Sequence, residues 1–107
     1  MKVKINNYSK RVGLTGERAY YKWRAFVDEP PSVLDSIKQV EYFLHHSFPE
    51  PYQKSRDKAD KFALETHGWG EFKLGVGVTF EDGTEEYLKY NLVLDPEKKP
   101  WPDEPPD

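Results

Sequence analysis

The chain has 107 residues, a formal net charge of −3 and no cysteine. That length suits a single domain, and the missing cysteines exclude disulfides, thiolate nucleophiles and cysteine-based zinc sites. No basic block crosses the mildly acidic chain, so direct nucleic-acid binding is not expected. No apolar run approaches the ~20 residues of a membrane span, and the first ten residues do not read as a secretory leader. A cytoplasmic protein that needs no cofactor is expected. Aromatic residues make up 15% of the chain, which favours strands and lets few residues close a compact β core.

In chain order, Val3 to Val12 alternates weakly and reads as an edge strand, and Gly13 to Glu17 as a turn. Tyr20 to Val27 is a strand with Tyr21, Trp23, Ala25 and Val27 on one face and Tyr20, Lys22, Arg24 and Phe26 on the other. Pro30 and Pro31 end it. Ser32 to Phe48 is ambiguous: Val33, Ile37, Val40 and Leu44 follow helical spacing, while Val40, Tyr42 and Leu44 alternate. Pro49 and Pro51 open a charged connection to Asp60. Lys61 to Glu65 reads as a short strand and His67 to Gly70 as a turn. Phe72 to Phe80 alternates most cleanly, and Asp82-Gly83 signals a hairpin returning through Thr84 to Leu94. Residues 96–107, proline-rich and acidic, look like a tail or linker after a domain of residues 1–95. The pattern is all-β, and its strand count and length suit an immunoglobulin-like β-sandwich.

Two segments are hard to explain by packing alone: Leu44-His45-His46-Ser47-Phe48-Pro49 and Gly68-Trp69-Gly70-Glu71-Phe72. Each sets an aromatic ring beside small or polar groups at a strand end, where sandwich loops build binding sites. Adjacent His45 and His46 point to opposite faces of a strand, which disfavours a metal site. A hydrolase on Ser47 and His45 lacks an oriented acid and an oxyanion motif. Plainer readings stand beside the functional one: Phe26 and Phe72 as core, Ser47 as a turn residue, Phe48 as a ring closing the sandwich end, and Glu71 as solvated surface.

The first segment resembles the LHxSFP signature of YEATS domains, and the second their GWGEF signature. Tyr21-Lys22-Trp23-Arg24-Ala25-Phe26-Val27 is similar to their early W-x-x-F-V strand. The resemblance runs from about Lys2 to Leu94 and is nearest the prokaryotic YEATS-like branch. It implies a YEATS-like immunoglobulin-like sandwich, and so a strand over Lys38 to His45. It further implies a non-catalytic reader of acetyl-lysine, crotonyl-lysine or a similar planar acyl group. On that resemblance Phe48 and Trp69 wall the acyl group, Ser47 bonds its amide, and His45 orients the loop. The Trp69 N–H, flanked by Gly68 and Gly70, meets the acyl carbonyl, and Phe26 and Phe72 line the floor. The implied partner is an acylated lysine peptide or protein, bound by a monomer. It would be a histone tail in a nuclear, eukaryotic setting and a non-histone ligand in a prokaryote. The alternative is a prokaryotic signalling or structural interaction domain that has lost acyl-lysine binding.

Overall fold

The computed structural model describes residues 3–15, 18–68 and 70–101, with backbone alone at 14, 15 and 18–20. Among the described residues seven strands form two antiparallel sheets. The three-stranded sheet joins β1 (Ile5–Thr15), β2 (Arg18–Val27) and β5 (Leu64–Gly68) in the order β1-β2-β5. The four-stranded sheet joins β3 (Ile37–Phe43), β4 (Tyr52–Ser55), β6 (Lys73–Phe80) and β7 (Glu85–Asn91) in the order β4-β3-β6-β7.

The alternation in β2 does what period-2 patterning requires. Trp23, Ala25 and Val27 are buried between the sheets, where they join Ile37, Val40 and Tyr42 of β3 and Leu74, Val76 and Val78 of β6. Each large apolar side chain removed from water here contributes roughly 1.5–3 kcal/mol. Two interior polar side chains are paired across distant segments. Asn7 takes a hydrogen bond from the Tyr90 hydroxyl at 2.5 Å and gives one to the Val93 carbonyl at 2.8 Å, tying β1 to the chain beyond β7. The buried Tyr42 hydroxyl donates to the Phe62 carbonyl at 2.6 Å.

The ambiguity of residues 32–48 has a structural cause. Only one helical turn forms, α1 (Pro31–Leu34), with proline at its start. In β3 the pairing with β6 shifts between Ile37 and Gln39, so Ile37 and Val40 both face the core although three positions apart. That irregularity imitates helical spacing inside a strand.

Several boundaries differ from expectation. β1 runs through Gly13 to Thr15, with a register shift between Arg11 and Gly13; Gly16 and Glu17, the rest of the expected turn, lie outside the described residues. β4 forms inside the charged connection, an edge strand with no buried residue. The strand expected at Lys61 to Glu65 begins only at Leu64, because Lys61 and Phe62 take left-handed conformations with φ of 55° and 56°. Such angles cost non-glycine residues roughly 1–2 kcal/mol each. The turn is held by complete burial of Phe62 and by its N–H donating to the Asp57 carbonyl at 2.9 Å. The Asp82-Gly83 hairpin forms as expected, with Gly83 at φ 90°.

Residues 96–101, expected as tail, return beside the outer edge of β1. The Ser9 N–H donates to the Lys99 carbonyl at 2.8 Å, and the ammonium groups of Lys10 and Lys22 sit 5.3 and 5.1 Å from the Trp101 ring centre. Covering a bare strand edge removes a template for unwanted pairing. Residues 102–107 lie outside the described residues.

Candidate functional site

At one end of the sandwich, the loop after β3 and the loop between β5 and β6 face each other across a cleft of about 540 Å³. The first loop contributes His45, Ser47, Phe48 and Pro49; the second, with the end of β5, contributes His67, Gly68, Gly70, Glu71 and Phe72. Phe48 and Phe72 are 24 positions apart in the chain, yet their ring centres lie 5.4 Å apart with the planes tilted by 52°. Aromatic pairs at such separations attract beyond their buried area, by roughly 0.5–1.5 kcal/mol.

The first loop is a closed hydrogen-bonded unit. The Phe48 N–H donates to the His45 carbonyl at 3.0 Å, and the Leu44 N–H donates to the Pro51 carbonyl at 2.6 Å. The Ser47 N–H donates to His45 Nδ1 at 3.2 Å, so Nδ1 carries its lone pair and the ring proton belongs on Nε2. Ser47 Oγ stands 2.9 Å from the same nitrogen. A hydroxyl donating there keeps its own lone pairs for an incoming N–H. His45 therefore positions Ser47 in both backbone and side chain. The His45 ring also meets Phe72 edge-on, at 6.5 Å, and His46 lies against it at 4.1 Å.

The second loop is anchored from the far end of the chain. The Glu71 carboxylate accepts the Leu94 N–H at 2.7 Å, and the Phe72 carbonyl accepts the Leu92 N–H at 3.1 Å. Glu71, read from sequence as plain solvated surface, is exposed at the rim but ties down the backbone beyond β7. Gly68 closes β5 opposite Tyr21 rather than opening a turn. It lies against both rings: a Cβ there would stand 3.5 Å from Phe48 and 3.7 Å from Trp23 Nε1, ordinary contact distances.

His45, Ser47, Phe48, Gly68, Gly70 and Phe72 thus line one cleft. Trp69 lies outside the described residues. Phe26 does not reach the cleft. It sits on the opposite face of β2 from Trp23, 3% exposed, with its ring centre 4.7 Å from Tyr8 and the Lys61 ammonium 5.8 Å above it. The aromatic beneath the cleft is Trp23, whose ring meets Phe48 at 6.4 Å and 90° and Phe72 at 6.1 Å and 68°. The alternation in β2 already set Trp23 and Phe26 on opposite faces; which face underlies the loops follows from the pairing of β2 with β5. Among the described residues no three His, Asp or Glu side chains are grouped to hold a metal.

Fold and cleft together define a class: a two-sheet β-sandwich carrying an aromatic, loop-built cleft with a positioned hydroxyl at its mouth. The model of the prokaryotic YEATS domain matches residues 21–93, and the chain belongs to that family. It is 30% identical to the AF-9 homolog of Kluyveromyces lactis over 86 residues, covering 72% of this chain and 38% of that protein. It is 34% identical to the AF-9 homolog of Saccharomyces cerevisiae over 85 residues, covering 75% and 37%. The chain therefore spans little more than a third of these relatives' length. Among solved structures, the yeast Yaf9 YEATS domain recognizing an H3K122suc peptide superimposes with a TM-score of 0.69 at 26% identity. That match covers 91% of this chain and 80% of the other. The Yaf9 YEATS domain bound to H3K27ac gives a TM-score of 0.66 at 24% identity, covering 90% and 78%, and bears on the fold alone. The immunoglobulin-like sandwich is the fold of these domains.

Proposed function

We propose that this chain is a non-catalytic binding module whose cleft takes an acylated lysine side chain, presented by a peptide or protein other than a histone. The observation that carries the reading is the pairing of Phe48 and Phe72 at 5.4 Å beside a Ser47 hydroxyl fixed by His45. An acyl-lysine is apolar except for one amide, which needs an acceptor and a donor once it leaves water. Leaving either unmet costs about 1–3 kcal/mol. Ser47 Oγ, donating to His45, is oriented to accept the amide N–H. The Trp69 N–H between two glycines is our choice of donor for the carbonyl, and its ring our choice of second wall. An unmodified lysine would have to desolvate its ammonium among aromatic rings, where the carboxylate lining the cleft, Glu71, is already engaged by the Leu94 N–H, at a penalty of several kcal/mol. Selectivity rests on that difference, and the modest size of the ligand keeps affinity moderate. The peptide named for the 26%-identical Yaf9 structure, H3K122suc, is an acylated histone peptide, which supports the ligand class without naming the partner.

A second reading, a protein-interaction domain without acyl-lysine binding, is favoured by one observation. Tyr52, Phe43 and Tyr87 form an exposed aromatic patch across the outer face of the four-stranded sheet. Titration of ¹⁵N-labelled protein with acetyl-lysine, crotonyl-lysine and unmodified lysine peptides separates the two. The acyl-lysine reading expects saturable shifts at Ser47, Phe48, Gly68 and Trp69 with the acylated peptides only, lost in Phe48→Ala and Trp69→Ala variants that remain folded. No shift with any acyl group defeats it.

A further inference from the structure

An open sheet edge is a template for pairing with another chain, and folds usually blunt it. The edges of this sandwich are unequal. The outer edge of β1 is covered, since the Ser9 N–H donates to the Lys99 carbonyl. β4 and β5 are short, with four and five residues. β7 differs: it ends the four-stranded sheet with seven residues, contains no proline, and keeps an unbroken register with β6. Among the described residues no strand lies beyond it.

The ladder fixes what that edge presents. The Phe80 N–H donates to the Thr84 carbonyl, and the Leu92 N–H to the Phe72 carbonyl. Bonded and non-bonded pairs alternate along an antiparallel ladder. Between those two bonds, Glu86, Leu88 and Tyr90 therefore turn their N–H and C=O toward β6, while Glu85, Tyr87 and Lys89 turn theirs outward. The side chains of the same three residues are exposed on the outer face of the sheet. Tyr87 does not obstruct the edge. Its ring lies back across β6, with the hydroxyl over Gly75 and the ring centre 6.0 Å from that of Phe43.

We propose that β7 is a self-association edge, pairing antiparallel with β7 of a second copy about a two-fold axis at Tyr87. The occupant is a second copy because the strand is complementary to itself in that register. Tyr87 stands opposite the partner's Tyr87, Glu85 opposite the partner's Lys89, and Lys89 opposite the partner's Glu85. All three are pairs whose backbone groups face each other, giving about six backbone hydrogen bonds, two per pair. Opposite charges facing across strands stabilise a pairing, and like charges oppose it. Neighbouring registers lack this match. An axis at Glu86 sets that carboxylate against its own copy, and one at Leu88 leaves Glu85 and Lys89 without opposite charges. The two-fold contact closes on itself and stops at a dimer with one continuous eight-stranded sheet. The partner strand runs in reverse, so the two clefts open toward opposite ends. This departs from the monomer that the family resemblance implies.

Sedimentation velocity of the whole chain is expected to show a concentration-dependent monomer–dimer equilibrium. A single strand pair is a small interface, so the dissociation constant is expected above about 1 µM. Hydrogen exchange followed by NMR is expected to slow several-fold at Glu85, Tyr87 and Lys89 as the dimer fills. Glu86 and Leu88, bonded to β6 in either state, should change little. Glu85→Lys and Lys89→Glu alter exposed side chains outside the core and the cleft, and circular dichroism checks that each variant keeps its fold. Each alone sets like charges across the axis and is expected to be monomeric. An equimolar mixture of the two is expected to form a heterodimer, because each then supplies the charge the other lacks. A wild-type chain that stays monomeric at millimolar concentration overturns the proposal. So does a dimer without slowed exchange at these three amides, a single variant that dimerises as well as wild type, or a mixture that fails to associate.

Discussion

Asn7→Ala tests how the two ends of the chain are held together, and its cost follows from the bonds it deletes. The Asn7 side chain is completely buried in β1. Its Oδ1 accepts the Tyr90 hydroxyl at 2.5 Å and the Val93 N–H at 3.2 Å, and its Nδ2 donates to the Val93 carbonyl at 2.8 Å. Alanine removes all of these and leaves three polar groups without a partner. Each fully buried orphan costs about 1–3 kcal/mol. Tyr90 and Val93 are half-buried, so water reaches part of what is lost and the lower end applies. The expected loss is therefore about 3 kcal/mol, a large share of the 5–15 kcal/mol typical of a domain. Urea unfolding followed by tryptophan fluorescence should show a lower midpoint with unchanged slope, the mark of altered stability rather than altered compactness. Tyr90→Phe alone should cost about 1 kcal/mol. Combined with Asn7→Ala it should add almost nothing, since both remove the same bond. A loss under about 1 kcal/mol for Asn7→Ala at unchanged slope would refute the clamp.

The remaining expectations concern the site and the core. Glu71→Ala should free the Leu94 amide and loosen the second loop. Hydrogen exchange should speed at Leu94, and acyl-peptide affinity should fall several-fold, while Glu71→Gln, which keeps an acceptor oxygen, should retain most of both. Burial pushes the Tyr42 phenol far above its ordinary range and raises that of Tyr90, the latter opposed by its bond to Asn7. A raised phenol stabilises the fold fully below the unfolded value near 10. Stability should then fall as the pH climbs above about 10, by up to ~1.4 kcal/mol per unit for each such group. Tyr42→Phe should flatten that alkaline limb while lowering stability at neutral pH by about 1–2 kcal/mol, because the Phe62 carbonyl loses its donor. An unchanged slope above pH 10 would show that Tyr42 ionises freely in the folded state.

Much of the architecture was legible because half-buried strands leave a period-2 record. The alternation in Tyr21 to Val27 and in Phe72 to Phe80, and the Asp82-Gly83 turn, each report local geometry that needs no distant partner. β4 left no such record: Tyr52 to Ser55 buries nothing, and an edge strand held by backbone bonds to β3 has no apolar signal to display. β3 left a misleading one, because a register shift put Ile37 and Val40 on the same face. The reversal at Lys61 and Phe62 was hidden as well, since nothing in two ordinary residue types announces a left-handed backbone sustained by complete burial of Phe62 and by its bond to the Asp57 carbonyl.

The site divides in the same way. Residue types and order alone nominated the two loops, their serine, histidine and aromatic rings, and the glycine bracket, since such groups at strand ends have little to do in a core. Tertiary structure decided which of them converge. The packing of two sheets brings Phe48 to Phe72, and the pairing of Tyr21 with Gly68 sets Trp23 under the cleft while Phe26 faces away. It also decided that Glu71 holds the Leu94 amide. Periodicity records which residues share a face, because neighbours along a strand write it. Which face meets which loop depends on strand order and register between segments far apart in the chain, and no local pattern encodes that.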